Sequence, residues 1–485
     1  MNRPATTADI LPHFIGGSLR PASADGARDR RNPSDPADIV ARAPVGTAAD
    51  VDAAVAAATV AFGAWRAQSG PARADALHRW GDAIAARADE LARTMAREVG
   101  KPISEARGEV VRATVICRYY AGEAVREIGE VIPSQAADAL QFTLRDPLGP
   151  VALITPWNFP LAIPLWKAAP ALAFGNTIVL KPSEHSPRMA HLLAETAIAS
   201  GLPAGVFNVI HGDGSTGAAL VAHEQVRAVS FTGSQGVGAR VAVVAAERNV
   251  RVQTEMGGKN VVIVARDADL DRAAALTAAG AMRYAGQKCT ATSRVIVERP
   301  VEAAFLARLE AAMAALPLGP VDDPACAIGP LITTESKARI EHVLGANQAE
   351  TLFGGKLPDD ARYRVGNWFA PRVIRFGGAG EPLALTELFG PVLGVLVADD
   401  LDHALAMANA TPFGLSASLF TRDLRAALGY VRRIEAGLVR VNGDTTGVDP
   451  HAPFGGTKGS SSGSREQGRA ARDFYTEIRT VQIHP

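Results

Sequence analysis

Cysteine is nearly missing from this chain. Three occur in 485 residues, Cys117, Cys289 and Cys326, and no two are close in sequence. An odd number without short spacing argues against a disulfide framework and a zinc site, and fits a reducing, cytoplasmic setting. No metal is expected. Net charge is missing too, since Lys+Arg and Asp+Glu both number 50. A balanced chain has no overall electrostatic grip on nucleic acid or on an anionic membrane, and neither is expected as a partner. The opening stretch "MNRPATTADILPHF" lacks the apolar core of a signal peptide. The most apolar stretch, residues 151–180, is interrupted by Lys167 and by Pro156, Pro160, Pro164 and Pro170. It reads as a buried, irregular segment at the heart of a domain rather than a membrane span.

What is present suits a large globular protein. The apolar fraction is 47% and the charged fraction 21%. The length suits two to four domains. "VALIT" (151–155), "NTIVLK" (176–181), "VFNVI" (206–210), "AVSFTG" (228–233) and "VVIVA" (261–265) are compact runs of buried-strand type. Helical stretches near 187–200, 215–223 and 235–247 separate them, so an α/β fold with a parallel sheet is expected. Ala-rich helices are expected over 50–67 and 71–99, capped by Asp50 and Ser69. A second α/β series runs from about 267 to 440. A Gly- and Ser-rich stretch follows over 442–468, and a loop of that length is usually functional or disordered.

Two glycine-rich turns compete for a phosphate. "GDGSTG" (212–217) matches the G-x-G-x-x-G dinucleotide pattern literally. The pattern also wants an acid about 20 positions on, yet position 232 is Thr, and Glu224 and Glu247 lie well away. "AVSFTGSQGVGARV" (228–241) also runs strand, turn, helix. Its Gly233 and Ser234 would present N–H groups and a hydroxyl at the helix start. A plain helix cap with packing glycines explains it equally well.

Four further stretches carry chemistry: "TPWNFP" (155–160), "TEMGGKN" (254–260), "GQKC" (286–289) and "TELFGP" (386–391). Each alone has a structural account, and free cysteine is among the most buried residue types. Together they hold the parts for covalent catalysis on a carbonyl. A Cys289 thiolate attacks. The Asn158 amide steadies the oxyanion. The Glu255 carboxylate activates water. A nicotinamide accepts hydride. Spacing alone does not show that these groups meet.

"TPWNFP", "KPSE", "FTGSQGVG", "EMGGKN", "GQKC", "TELFGP" and "PFGGTKG", in that order, resemble the motif set of the NAD(P)-dependent aldehyde dehydrogenase superfamily. The resemblance runs from about residue 13 to the end. It implies a Rossmann-like NAD(P)-binding domain from 1–127 and 147–256, and an α/β catalytic domain over 257–453. A small β oligomerisation element is implied from 128–146 and 470–485. It also implies a homodimer or homotetramer, with "RTVQIHP" suited to adding a strand to a neighbour's sheet.

By the same resemblance Cys289 is the nucleophile, Glu255 the base and Asn158 the side-chain half of the oxyanion hole. Thr155, Trp157, Lys181, Ser183, Glu184, Gly214, Gly233, Ser234, Val237, Gly238, Glu387 and Phe389 match cofactor positions, with Lys167 near the active-site framework. "FTGSQGVG" thereby becomes the pyrophosphate turn, and "GDGSTG" the adenine side. Phe159, Trp166 and Phe454 match positions lining a substrate tunnel. Arg283, six residues before Cys289, stands where many relatives carry an aromatic residue. There it is expected to pair with a substrate carboxylate, the alternative being a solvated or salt-bridged surface arginine.

The cofactor is NAD or NADP. Glu184 favours ribose hydroxyls and so NAD, while Lys181 can offset its charge. "KCTATSR" and one extra residue between Lys458 and Arg465 resemble a subgroup that includes α-ketoglutaric semialdehyde (2,5-dioxopentanoate) dehydrogenases. A dehydrogenase for succinate semialdehyde, an aromatic or a broad range of aldehydes is the alternative, and a catalytically silent relative a more distant one. Acyl transfer to coenzyme A is disfavoured by Glu255.

Overall fold

The computed structural model describes residues 9–23 and 26–485. Five runs pair in parallel at the centre of an eight-stranded sheet. In spatial order they are Phe207–Val209, Thr177–Lys181, Pro150–Ile154, Ala228–Thr232 and Arg251–Glu255. The chain winds outward from Pro150–Ile154 in one direction, then returns to start again on its other side. Open α/β sheets bind ligands at such a reversal, beyond the carboxyl ends of the strands. The two strands flanking it run into Thr155 and Gly233. Antiparallel strands close both edges: His13–Ile15 with Ser18–Arg20 on one side, Ser461–Ser462 on the other.

The run at 261–265 has the same apolar style but belongs to a second sheet. There Val261–Val264 lies between Arg294–Glu298 and Ser416–Phe420, parallel to both. Seven strands make up this sheet, with Thr351–Gly354 antiparallel at one edge and Leu438–Val441 at the other. A third sheet is antiparallel and joins Val131–Ile132, Leu140–Pro147 and Thr476–Ile483. The α/β class is the one expected.

Local expectations need two corrections. Asp50 does not start its helix. Thr47 caps Ala48–Arg66, and Asp50 sits in the first turn, reaching back to the Thr47 N–H in a capping box. Ser69 does cap its helix, but residues 71–99 are not one helix. Gly70–Ala86 and Ala88–Val99 meet at Arg87, whose φ of −110° leaves the helical region. No Gly or Pro marks the break. Arg87 is held by Glu90 and by Glu195 on a neighbouring helix, so tertiary pairing sets the turn. The stretch at 151–180 is buried as expected, and its helix Ala162–Ala173 lies wholly in the core.

The segment at 442–468 is ordered and stitches the two large sheets together. Thr457–Lys458 pairs with Phe413–Gly414, and Ser461–Ser462 pairs with Thr254–Glu255. The chain thus passes directly over the end of the strand that carries Glu255.

Candidate active site

The stretch "TPWNFP" divides two cavities. Trp157 lines the larger, of about 790 Å³. Phe159 lines the smaller, of about 360 Å³, with Cys289. Asn158 stands between them, buried. One amide hydrogen of Asn158 is spent on the Gln287 carbonyl at 3.0 Å, which leaves the other for a ligand. Gln287 is itself locked, donating to the Pro330 carbonyl at 3.1 Å and accepting from the Ile332 N–H at 2.9 Å. The Asn158 amide is therefore held in one orientation.

Cys289 follows a strained turn. Tyr284 and Ala285 both adopt left-handed backbone, with φ of 56° and 52°. Such conformations are uncommon outside glycine and gather at functional sites. The turn ends the helix Leu270–Met282 and delivers Cys289 before the strand Arg294–Glu298. The Cys289 carbonyl is pinned by the Asn260 amide at 2.8 Å. Burial, then the Glu255 and Glu387 carboxylates, push the thiol up to about 12; the Thr290 N–H works against them.

Glu255 is the last residue of its strand and fully enclosed. Burial and the charge of Glu466 raise its pKa well above the ordinary carboxylate value. The Ser461 hydroxyl, Lys167 and Arg465 oppose that rise. Lys167 is a buried cation paired with Glu466, and it also donates to Ser230 Oγ at 2.8 Å.

The smaller cavity suits an aldehyde with an apolar middle. Phe159, Trp166 and Phe454 wall it, with the last two rings 5.4 Å apart. Arg283 lies exposed at its mouth with no ion-pair partner among the described residues. All four sequence-derived substrate positions thus converge on Cys289.

The larger cavity suits a dinucleotide. Thr155, Trp157, Lys181, Ser183, Glu184, Gly214, Gly233, Ser234 and Val237 all line it. The helix Gln235–Glu247 opens there, and Ser234 makes no side-chain cap. Its first-turn N–H groups are available to an anion such as a pyrophosphate. The Thr155 and Thr232 hydroxyls are buried along the cleft without protein partners. Lys181 Nζ lies 3.7 Å from the half-exposed Glu184 carboxylate, a pair suited to ribose hydroxyls. At Gly238 a Cβ would come within 2.5 Å of Met256 Sδ, so a glycine there lets the helix pack closely on the sheet.

Glu387 and Phe389 come from the loop after Leu385, and Phe389 reaches Trp157 of the cleft. Glu387 Oε1 accepts the Gly258 N–H at 3.0 Å, and burial pushes its carboxyl up to about 7. Phe389, at φ 54°, meets Trp157 edge-on at 5.8 Å. A Cβ at Gly257 would lie 2.0 Å from Glu387 Oε2. Gly257→Ala is therefore expected to displace Glu387 and weaken NAD binding roughly tenfold, since overpacking costs about 1–3 kcal/mol. Fluorescence titration with NAD checks this.

The description of the aldehyde dehydrogenase family matches residues 21–481. The chain belongs to the aldehyde dehydrogenase family. It oxidises an aldehyde with NAD or NADP. It is 42% identical to the α-ketoglutaric semialdehyde dehydrogenase of Bacillus subtilis (strain 168), over 99% of either chain. It is 40% identical to the α-ketoglutarate semialdehyde dehydrogenase of Haloferax volcanii, over 98% of this chain and 99% of that one. The crystal structure of an NAD-dependent aldehyde dehydrogenase from Sinorhizobium meliloti superposes with a TM-score of 0.95 at 36% identity, covering 100% of this chain and 96% of that one.

Sequence reasoning within this family frame missed two residues that the fold brings in. Arg112 lines the substrate cavity beside Arg283, and its guanidinium also donates to the Val448 carbonyl. Its signal was helical periodicity: Glu105, Gly108 and Arg112 share one face of the helix Ile103–Glu123. Ser461 lay within a serine run whose strand register could not be read.

Proposed function

We propose that this aldehyde dehydrogenase converts α-ketoglutaric semialdehyde to the dicarboxylic acid. The observation that carries this is the shape of the small cavity. It is lined by the Cys289 thiol, by aromatic walls and by the guanidinium groups of Arg112 and Arg283, while its carboxylates Glu105 and Glu109 are paired with Lys288 and Lys101. A substrate with an aldehyde at one end and a carboxylate at the other fits that polarity. The names borne by the relatives from Bacillus subtilis and Haloferax volcanii support the same substrate.

The Cys289 thiol releases its proton to solvent, and the thiolate adds to the aldehyde carbon to give the thiohemiacetal oxyanion. The free Asn158 amide hydrogen and the Cys289 N–H stabilise the oxyanion. When bound, the nicotinamide cofactor supplies the hydride acceptor. The chain's own residues then hold a thioester on Cys289, and Glu255 takes a proton from the water that hydrolyses it. Residues 1–127 and 147–256 hold the cofactor, and 257–453 carry the thiol. The strand Thr476–Ile483 has one free edge among the described strands and projects Ile478 and Ile483 into solvent. That supports pairing of subunits through 128–146 and 470–485 into a homodimer or homotetramer. The sparse, unpaired cysteines support a cytoplasmic location.

Steady-state kinetics test the substrate. Arg283→Leu is expected to raise KM for the dioxo acid roughly 10- to 100-fold, since hydrogen bonds to charged groups contribute about 1.5–3 kcal/mol. KM for an uncharged aldehyde such as propanal should barely move. Equal losses for both would remove Arg283 from substrate recognition.

A further inference from the structure

Three consecutive serines each place a hydroxyl on a different partner. Ser460 Oγ accepts the Gly414 N–H at 3.0 Å. Ser462 Oγ lies 2.7 Å from Thr254 Oγ1. Ser461 Oγ accepts the Gly456 N–H at 2.6 Å and donates to Glu255 Oε2, also at 2.6 Å. Strand register explains the last contact. Ser461 stands directly opposite Glu255 in an antiparallel pair, and opposed residues project to the same face about 5 Å apart. A bond from the Met256 N–H to the Ser460 carbonyl at 2.8 Å holds that register. A slip of one residue would turn Ser461 to the other face.

The hydroxyl is also oriented. Its oxygen is occupied by the Gly456 N–H, so its single hydrogen is left for the carboxylate. The second carboxylate oxygen, Glu255 Oε1, is buried without a partner. It lies against Gly455, where a Cβ would approach it to 2.7 Å. One oxygen is therefore tethered and the other is free.

We infer that Ser461 is a positioning residue for the deacylating base, tethering Glu255 through Oε2 so that Oε1 is the atom that takes the proton from water. The inference rests on the reading of Glu255 as that base. The charged and titratable groups facing Glu255 come from three elements. They are Lys167 from the helix Ala162–Ala173, Arg465 and Glu466 from the return segment, and Cys289 from the turn after Tyr284. Glu466 disfavours the ionised carboxylate, while Lys167 and Arg465 favour it. Ser461 is the uncharged donor of the set, so its removal changes the base without changing any charge.

A base whose carboxyl is raised by burial loses activity as pH falls through that raised value. Removing a donor to the ionised form raises it further, so the loss begins at higher pH. The test compares Ser461→Ala and Ser461→Thr with the parent. The NADH burst and the later release of acid from the acyl-enzyme are followed separately across pH. Ser461→Ala should keep the burst, release acid about tenfold more slowly at neutral pH, and move the acid limb up by about one unit, as expected for one charge-assisted bond. Ser461→Thr, which keeps the hydroxyl, should restore both. An unmoved acid limb, or equal losses of burst and acid release, overturns the inference. Normal turnover by Glu255→Gln would instead overturn the assignment of the base itself. Slow turnover there with an unchanged Ser461→Ala would overturn the role of Ser461 alone.

Discussion

Cys289→Ala is expected to produce no reduced nicotinamide with any aldehyde, down to the limit of absorbance detection. The enzyme has no second thiol to fall back on. Cys117 is sealed in the helical core, and Cys326 donates to the Gly319 and Ile328 carbonyls away from both cavities. Without a nucleophile no tetrahedral adduct forms, and the hydride has no alkoxide to leave from. The substitution touches none of the residues that line the cofactor cleft. NAD binding and thermal stability should therefore stay near the parent's, which separates lost chemistry from lost fold. The resting thiol can be tested as well. Pushed up to about 12, it is protonated at neutral pH. Alkylation of the cofactor-free enzyme by iodoacetamide should keep accelerating through about pH 10, past the usual thiol range of about 8–9. A rate that levels off near pH 8 would show that burial does not govern this thiol.

What the sequence made legible was local. Strands such as "VALIT" and "AVSFTG" declare themselves because both faces are buried and every residue is compact or apolar. Asn158, Glu255 and Cys289 each sit in a short stretch of the family's motif set, so the resemblance could name them before the fold was known. What stayed hidden depends on partners far along the chain. The helix break at Arg87 follows from Glu195, more than a hundred residues away. The role of Asp50 required knowing where Thr47 begins the helix. That Gly238 faces the Met256 side chain could not be read from its glycine-rich pattern. Arg112 is one of several charged residues on its helix, and only the contact with the distant Val448 carbonyl and the shared cavity single it out. The serine run read only as part of a long Gly- and Ser-rich loop, functional or disordered. Only the pairing of Ser461 with Glu255 across two strands gives it a purpose.

Glu255→Gln is expected to separate the two halves of the reaction. The amide has the shape of the carboxylate, and its carbonyl can still accept the Ser461 hydroxyl, so the edge strand should keep its register. It cannot take a proton. The first turnover should therefore release about one equivalent of NADH per active site. Later turnovers should slow by about 10²–10⁴-fold, the usual contribution of a positioned base. The stalled species is a thioester on Cys289, visible as an acyl adduct by intact-protein mass spectrometry. In the parent, turnover should fall as pH drops through the raised pKa of Glu255, because the base is ionised only above it. The glutamine variant should lack that limb and run slowly at every pH. Cycling at the parent rate would mean that water reaches the thioester by a route that does not involve Glu255. The tethered Oε2 and free Oε1 would then be a structural feature only.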